Sequence, residues 1–165
     1  MSTGLTGYVH PSGFSMPVPP GWDTAEDPAP GVALVAAEPD NGGFRANLVV
    51  TVDELPADLD LTSWQATVEP MLGTALHDYI LIDAEETQVR GRPTFRRLAH
   101  HLVEKSGAVT MEQWAHTEGA TGYTVTASVA TLAYASLADL FTEVVDGWEP
   151  APGSGHPAPD PGGRA

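Results

Sequence analysis

Short alternating runs of apolar and polar residues dominate this chain, and only two stretches carry the helical period instead. "FSMPV", residues 14–18, reads as a short first strand. Three prolines and Gly21 then break the pattern ahead of Trp22. "GVALVAAE" is a second strand. In "RANLVVTVDEL", a third, Ala46, Leu48, Val50 and Val52 alternate with Asn47, Val49 and Thr51. Apolar residues in both phases predict a sheet covered on both faces. "LTSWQATVEPMLGTALHD" changes period: Trp64, Val68, Met71 or Leu72, and Ala75 or Leu76 recur at helical spacing. Thr62 with Gln65, or Asp60 alone, would cap this helix, and Pro70 should kink it.

Four strands follow, at "YILIDAEETQV", "TFRRLAHHLVE", "VTMEQWAHT" and "GYTVTASVATL". They are joined by "RGRP", "KSGA" and "EGATG", links short enough to imply an antiparallel meander. "SLADLFTEVVDGW" closes the pattern as a helix whose stripe is Leu137, Leu140, Phe141, Val144, Val145 and Trp148. Ser136 and Asp139 lie at its start and Gly147 near its end. The order β-β-β-α-β-β-β-β-α predicts an α+β domain, an antiparallel sheet of six to seven strands with a helix for each face. The domain should run from 13 to 149, between a loose start over 1–12 and a Pro/Gly-rich disordered tail over 150–165.

The doublets of "FRRLAHHLVE" raise the question of a site. Alternation splits each doublet between faces: Leu98, His100 and Leu102 on one, Arg97, Ala99, His101 and Val103 on the other. A tight turn at Ser106-Gly107 would set Lys105 opposite Ala108, His101 opposite Glu112 and Arg97 opposite His116. In that register His101 and His116 lie about 13 Å apart along the sheet, too far to share one metal ion. Cross-strand His101–Glu112 and Arg97–His116 or Arg97–Glu86 contacts are expected instead, and Trp114 on the face of Ala99 near Val125.

Charge changes the picture more than composition does. The net charge is −15, with seven Lys+Arg, so a nucleic-acid backbone would be repelled. Yet Arg90, Arg92, Arg96, Arg97 and Lys105 fall in one stretch, leaving Arg45 and Arg164 outside it. That stretch is the candidate partner-binding surface. With no cysteine, disulfides and thiolate chemistry are excluded. No apolar run is long enough to span a membrane, and the start lacks a basic, then apolar, leader. The expectation is a cytoplasmic protein. No G-x-S-x-G, H-E-x-x-H or phosphate-binding glycine loop occurs, and "EPDNGGF" lacks the spacing of a calcium loop. Asp83, Glu85 and Glu86 read as a solvated edge. No catalytic residue, cofactor or metal ligand is assigned. Trp64, Trp114 and Trp148 are expected in the core, and they are the candidates to line a ligand pocket between helix and sheet.

Several segments together resemble the PsbP-like superfamily. They are the "P-P-G-W" opening at Trp22, the strand Asn47-Leu48-Val49-Val50, the turn Gly91-Arg92-Pro93, the strand holding Tyr123 and Thr126, and the closing helix "LADLFTEVVDGW". The resemblance covers residues 13–148 and looks closest to actinobacterial LpqN-type proteins. It implies a three-layer α/β/α sandwich and a non-enzymatic role, since relatives include a photosystem subunit, a Ran-binding import factor and chaperones of type VI secretion effectors. The sequence has no cysteine to accept a lipid and is not expected to carry a signal peptide, unlike LpqN lipoproteins. The leading expectation is therefore a protein-binding adaptor or chaperone-like module with a link to secretion. The alternative is a small-molecule or lipid-binding domain, and a third possibility is a hydrolase using His101 and Glu112.

Overall fold

The computed structural model describes residues 4–152. Its elements are β1 (Thr6–Val9), β2 (Ser15–Val18), β3 (Asp23–Ala29), β4 (Val32–Ala37), β5 (Asn47–Glu54), α1 (Leu61–Ala75), β6 (His77–Val89), β7 (Arg92–Val103), β8 (Gly107–Glu118), β9 (Thr121–Ala130) and α2 (Tyr134–Asp146). A single 3-10 turn, Thr131–Ala133, leads into α2. The tail expected from about residue 150 lies, from 153 on, outside the described residues.

Seven strands form one antiparallel sheet in the order β3-β4-β5-β9-β8-β7-β6, while β1 and β2 pair separately. The expected α+β sandwich is present. Alternation sorts the faces. Leu34, Leu48, Val50, Trp114, Val125 and Ala127 share a core with Phe141, Val144 and Val145 of α2 and with Phe14, Met16 and Val18 from the β1–β2 hairpin. On the opposite face α1 lies over β6, β7 and β8. Its contact there is partly polar: Gln65 and Glu69 meet Arg97, while the Trp64 ring packs over Gly122.

Two strands went unforeseen. β1 replaces the loose start over Thr6–Val9: "HPSG" makes a tight turn, with the Gly13 N–H donating to the His10 carbonyl at 2.8 Å. β3, "DTAEDPA", has no alternation to read because all seven residues are exposed; it is an edge, bulged between Glu26 and Ala29.

The β7–β8 register also differs from expectation. Val103 pairs with Gly107 across a three-residue loop, with Lys105 at φ +66° and Gly107 at φ +83°. His101 therefore stands opposite Val109, and Arg97 opposite Gln113, so neither the His101–Glu112 nor the Arg97–His116 pair forms. Arg97–Glu86 fails as well, since Glu86 pairs with Phe95. The odd-numbered shift moves Trp114 opposite Arg96, onto the α2 face and away from Ala99, while its pairing with Val125 holds.

Asp60, rather than the Thr62–Gln65 box, caps α1: its Oδ1 accepts from the Ser63 N–H at 2.7 Å, which lowers its pKa. Thr62 donates to Glu86 instead. α2 starts at Tyr134, ahead of Ser136, with no side-chain cap. Trp22 is half-buried against the core.

α1 approaches the sheet through Trp64, whose ring fills the space a side chain would take at Gly122: a Cβ there would sit 2.6 Å from Trp64 Cη2. Gly122→Ala should cost about 1–3 kcal/mol through overpacking. The thermal midpoint should fall by about 2–4 °C per kcal/mol, and Trp64→Phe in the same background should recover part of the loss.

Candidate functional site

Four of the five cations of the basic stretch are paired with acids of the chain itself. Arg90 Nη1 donates to Glu149 Oε1 at 2.8 Å, and Arg92 Nη2 to Glu149 Oε2 at 3.3 Å. Arg96 bonds Glu112 through Nε at 2.6 Å and reaches Asp83 at 3.3 Å and Glu85 at 3.5 Å. Arg97 is only 1 % exposed, so it cannot contact a partner. Its Nε donates to Glu69 at 2.7 Å, and Nη1 to Gln65 at 2.9 Å and Gln113 at 3.0 Å. Tyr79 donates to the other oxygen of Glu69 and Gln113 to Thr126, closing a network between α1 and the sheet. Lys105, at the exposed β7–β8 turn, has no ion pair among the described residues. Thus the five cations expected to form one surface are divided among an exposed pairing on Glu149, a half-buried one on Glu112, a buried one on Glu69 and a turn.

The Arg96 cluster borders a cleft of about 320 Å³ between α2 and strands β6, β7 and β8. Glu85, Glu112, Asp139 and Asp146 line it, with Arg96 paired to the first two and Trp114 as its apolar wall. Glu112 is 4 % exposed, and both its oxygens are engaged: Oε2 accepts from Arg96, and Oε1 from the Tyr134 hydroxyl at 2.9 Å. Burial, and then the Glu112 bond, raises the Tyr134 pKa. Glu112 is held here as a counter-ion, with no free oxygen to serve as a general base. His101 pairs with Val109, whereas Glu112 pairs with Leu98 one position out of phase, so the two project from opposite faces. The expected hydrolase pair does not assemble.

Nor do the three candidate tryptophans share a pocket. Trp64 lies under α1, Trp114 on the α2 cleft, and Trp148 in the core among Phe14, His116 and Tyr123. Trp148 Nε1–H donates to His116 Nε2 at 3.0 Å, which leaves the ring proton of a neutral His116 on Nδ1. Burial, helped by the charge of Arg92, lowers the His116 pKa to about 4.

β6 was expected as a strand with a solvated acidic edge, but its exposed aliphatics were not foreseen. It is the terminal strand of the seven-stranded sheet and runs 13 residues. Register shifts on either side of Ile80–Leu81 break its ladder with β7, and Asp78 takes φ +49°. There Ile80, Leu81 and Ile82 are 59 %, 41 % and 50 % exposed. Beyond them Asp83, Glu85 and Glu86 continue the edge as a run of carboxylates. The string "YILIDAEE" carried this signal, since three consecutive aliphatics cannot all face one side of a strand.

No family model matches the chain, and no curated protein matches it in sequence. Solved structures match it closely in fold. PsbP (CyanoP) from Synechocystis sp. PCC 6803 superposes with a TM-score of 0.70 at 20 % identity, covering 90 % of this chain and 94 % of that one. LpqN of Mycobacterium tuberculosis, described as involved in cell envelope biogenesis, gives 0.66 at 16 %, covering 90 % and 91 %. The Saccharomyces cerevisiae Ran-binding protein Mog1p gives 0.62 at 18 %, covering 90 % and 96 %. The chain has a PsbP-like fold, as its sequence motifs implied.

Two outcomes test the polar interior. Arg97→Met removes the donor shared by Glu69, Gln65 and Gln113, and it should cost about 3 kcal/mol, read as a lower urea midpoint. His116 titrates below its unfolded value, so the unfolded chain takes up that proton first. Its contribution is intact above about pH 6.5 and is lost as pH falls toward 4. His116→Gln, which keeps an acceptor for Trp148, should remove about 2 kcal/mol of the stability loss between about pH 7 and pH 4.5.

Proposed function

We propose that this protein is a non-catalytic binding module that engages a protein partner along β6. One observation carries the reading: an edge strand long enough for augmentation whose aliphatic residues Ile80, Leu81 and Ile82 are left to solvent. An exposed apolar edge invites pairing with another chain, and soluble proteins blunt such edges unless they are used. The opposite edge, β3, is blunted by Asp23, Glu26, Asp27, Pro28 and a bulge. Charge indicates the kind of partner. The outer half of β6 carries Asp83, Glu85 and Glu86, and the chain's net charge is −15, so a basic extended segment is favoured in approach and in register.

The arginine stretch expected to hold the partner supports β6 from behind: Arg96 reaches Asp83 and Glu85 on that strand. Mog1p, a Ran-binding protein by its description, lends the reading an analogy of fold. A cytoplasmic location and a link to secretion belong to the proposal and rest on the sequence expectation.

The test is the double variant Ile80→Lys/Ile82→Lys. Both positions are half exposed or more, so stability should change by no more than about 0.5 kcal/mol. A partner that copurifies with the tagged wild-type chain should bind the variant at least about tenfold more weakly. If affinity is unchanged while the variant stays folded, β6 is not the interface. A wild-type dimer dissolved by the same substitutions would make a second copy of the chain the occupant.

A further inference from the structure

A second cleft, on different elements from β6 and the Arg96 cluster, opens between the β1–β2 turn and the β3–β4 hairpin. Its volume is about 640 Å³, and its walls include Pro28, Ala29, Pro30, Val32 and Val52. His10 is the buried polar residue among them, 4 % exposed. Its ring is fixed from several sides. It stacks on Phe14 with centroids 4.6 Å apart and planes at 6°. Its backbone N–H donates to the Phe14 carbonyl at 2.9 Å. Its Nδ1 accepts from the Ser12 N–H at 3.0 Å, with Ser12 Oγ at 2.8 Å.

A lone pair committed at Nδ1 puts the proton of the neutral ring on Nε2. That Nε2 has no hydrogen-bond partner among the described residues. Asp27 Oδ1 lies 3.3 Å away but outside hydrogen-bond geometry, on a side chain 68 % exposed. Buried donors are seldom left unmade, because their desolvation is not recovered. The cleft therefore has an apolar body and, at its edge, one unused N–H closed to solvent beside one exposed carboxylate that a ligand must displace to reach it, polar groups of the kind a small-molecule site uses.

We propose that this cleft binds a small neutral molecule with an apolar ring or chain and a primary amide or lactam edge. The amide carbonyl accepts from His10 Nε2–H, and the amide N–H donates to the Asp27 carboxylate. A carboxylate ligand is disfavoured by Asp27, and an ammonium ligand offers no acceptor to His10. The two contacts lie side by side, as the two atoms of an amide edge do.

The probe is cyclohexanecarboxamide, titrated into the full chain and followed by 1H–15N spectra, with cyclohexanecarboxylate as the comparison. Saturable shifts at Ser12, Gly31, Ala33 and Val52 are expected with the amide, at a Kd on the order of 1 mM, and none with the carboxylate. His10→Phe keeps the stack on Phe14 and removes the donor, and should weaken the amide at least about tenfold. Asp27 takes φ +44°, a conformation glycine adopts freely, so Asp27→Gly removes the carboxylate without straining the turn. That variant should admit the carboxylate ligand. The proposal is overturned by an absence of saturable shifts at those residues, by carboxylate binding to wild type as tight as the amide's, or by unchanged amide affinity in a folded His10→Phe. If His10→Phe does not fold, continued exclusion of the carboxylate by Asp27→Gly overturns it.

Discussion

Strand β8 sets the terms for the rest of the molecule. It lies between β7 and β9 with a layer on each face, and its residues from Val109 to His116 are buried without a break. Four of those eight are polar: Thr110, Glu112, Gln113 and His116. A buried polar side chain without a partner is costly, so each must be met from a neighbouring element. Thr110 meets Thr131, Glu112 meets Arg96 and Tyr134, Gln113 meets Arg97 and Thr126, and His116 meets Trp148. These bonds tie β8 to β7, β9, α2 and the segments flanking α2. They also fix the rotation of α2 on the sheet more tightly than apolar contact alone would, since hydrogen bonds are directional.

That constraint explains why the arginines misled as a surface. In one dimension five cations fall together, and the acids that neutralise them are out of sight. Glu149 is 57 residues from Arg92, Glu69 is 28 from Arg97, and Glu112 is 16 from Arg96. A strand with basic residues in both phases between two covered faces must send some of them inward. Arg97 shows the consequence: its guanidinium donates to two glutamines and a glutamate and lies 5.1 Å from the Phe95 ring centroid.

Element type was legible where the period was long and clean. Both helices, the β6–β9 meander and the sandwich follow from alternation and short links, and the order of weak motifs pointed to the same fold that CyanoP and LpqN share. Register was not legible, because it depends on where the turn between Val103 and Gly107 places its left-handed residue. Gly107 is an ordinary residue there, but lysine has no strong preference for that conformation, so nothing in "EKSG" announced Lys105. A three-residue error there exchanged the faces of β8 and so misassigned Trp114 and Glu112 relative to Ala99 and His101. β1 and β3 were missed for another reason. Their residues are almost wholly exposed, and a strand that buries nothing carries no alternation. The "HPSG" turn that presents His10 fell in the stretch expected to be loose, and only the strands it joins give it meaning.

The two ends of the sheet make the functional argument physical rather than analogical. Both β3 and β6 are edges, so both carry unpaired backbone groups and face the same aggregation hazard. β3 is blunted with three carboxylates, a proline and a bulge. β6 keeps its irregularities but concentrates them around Ile80, Leu81 and Ile82, where they present adjacent aliphatics to solvent instead of turning them inward. Bulges placed this way re-aim side chains. Both edges carry acids and bulges, and β6 alone adds three exposed aliphatics, which a fold that needed only to remain soluble would gain nothing by keeping. The difference between them is the feature a binding role accounts for and a purely structural role does not.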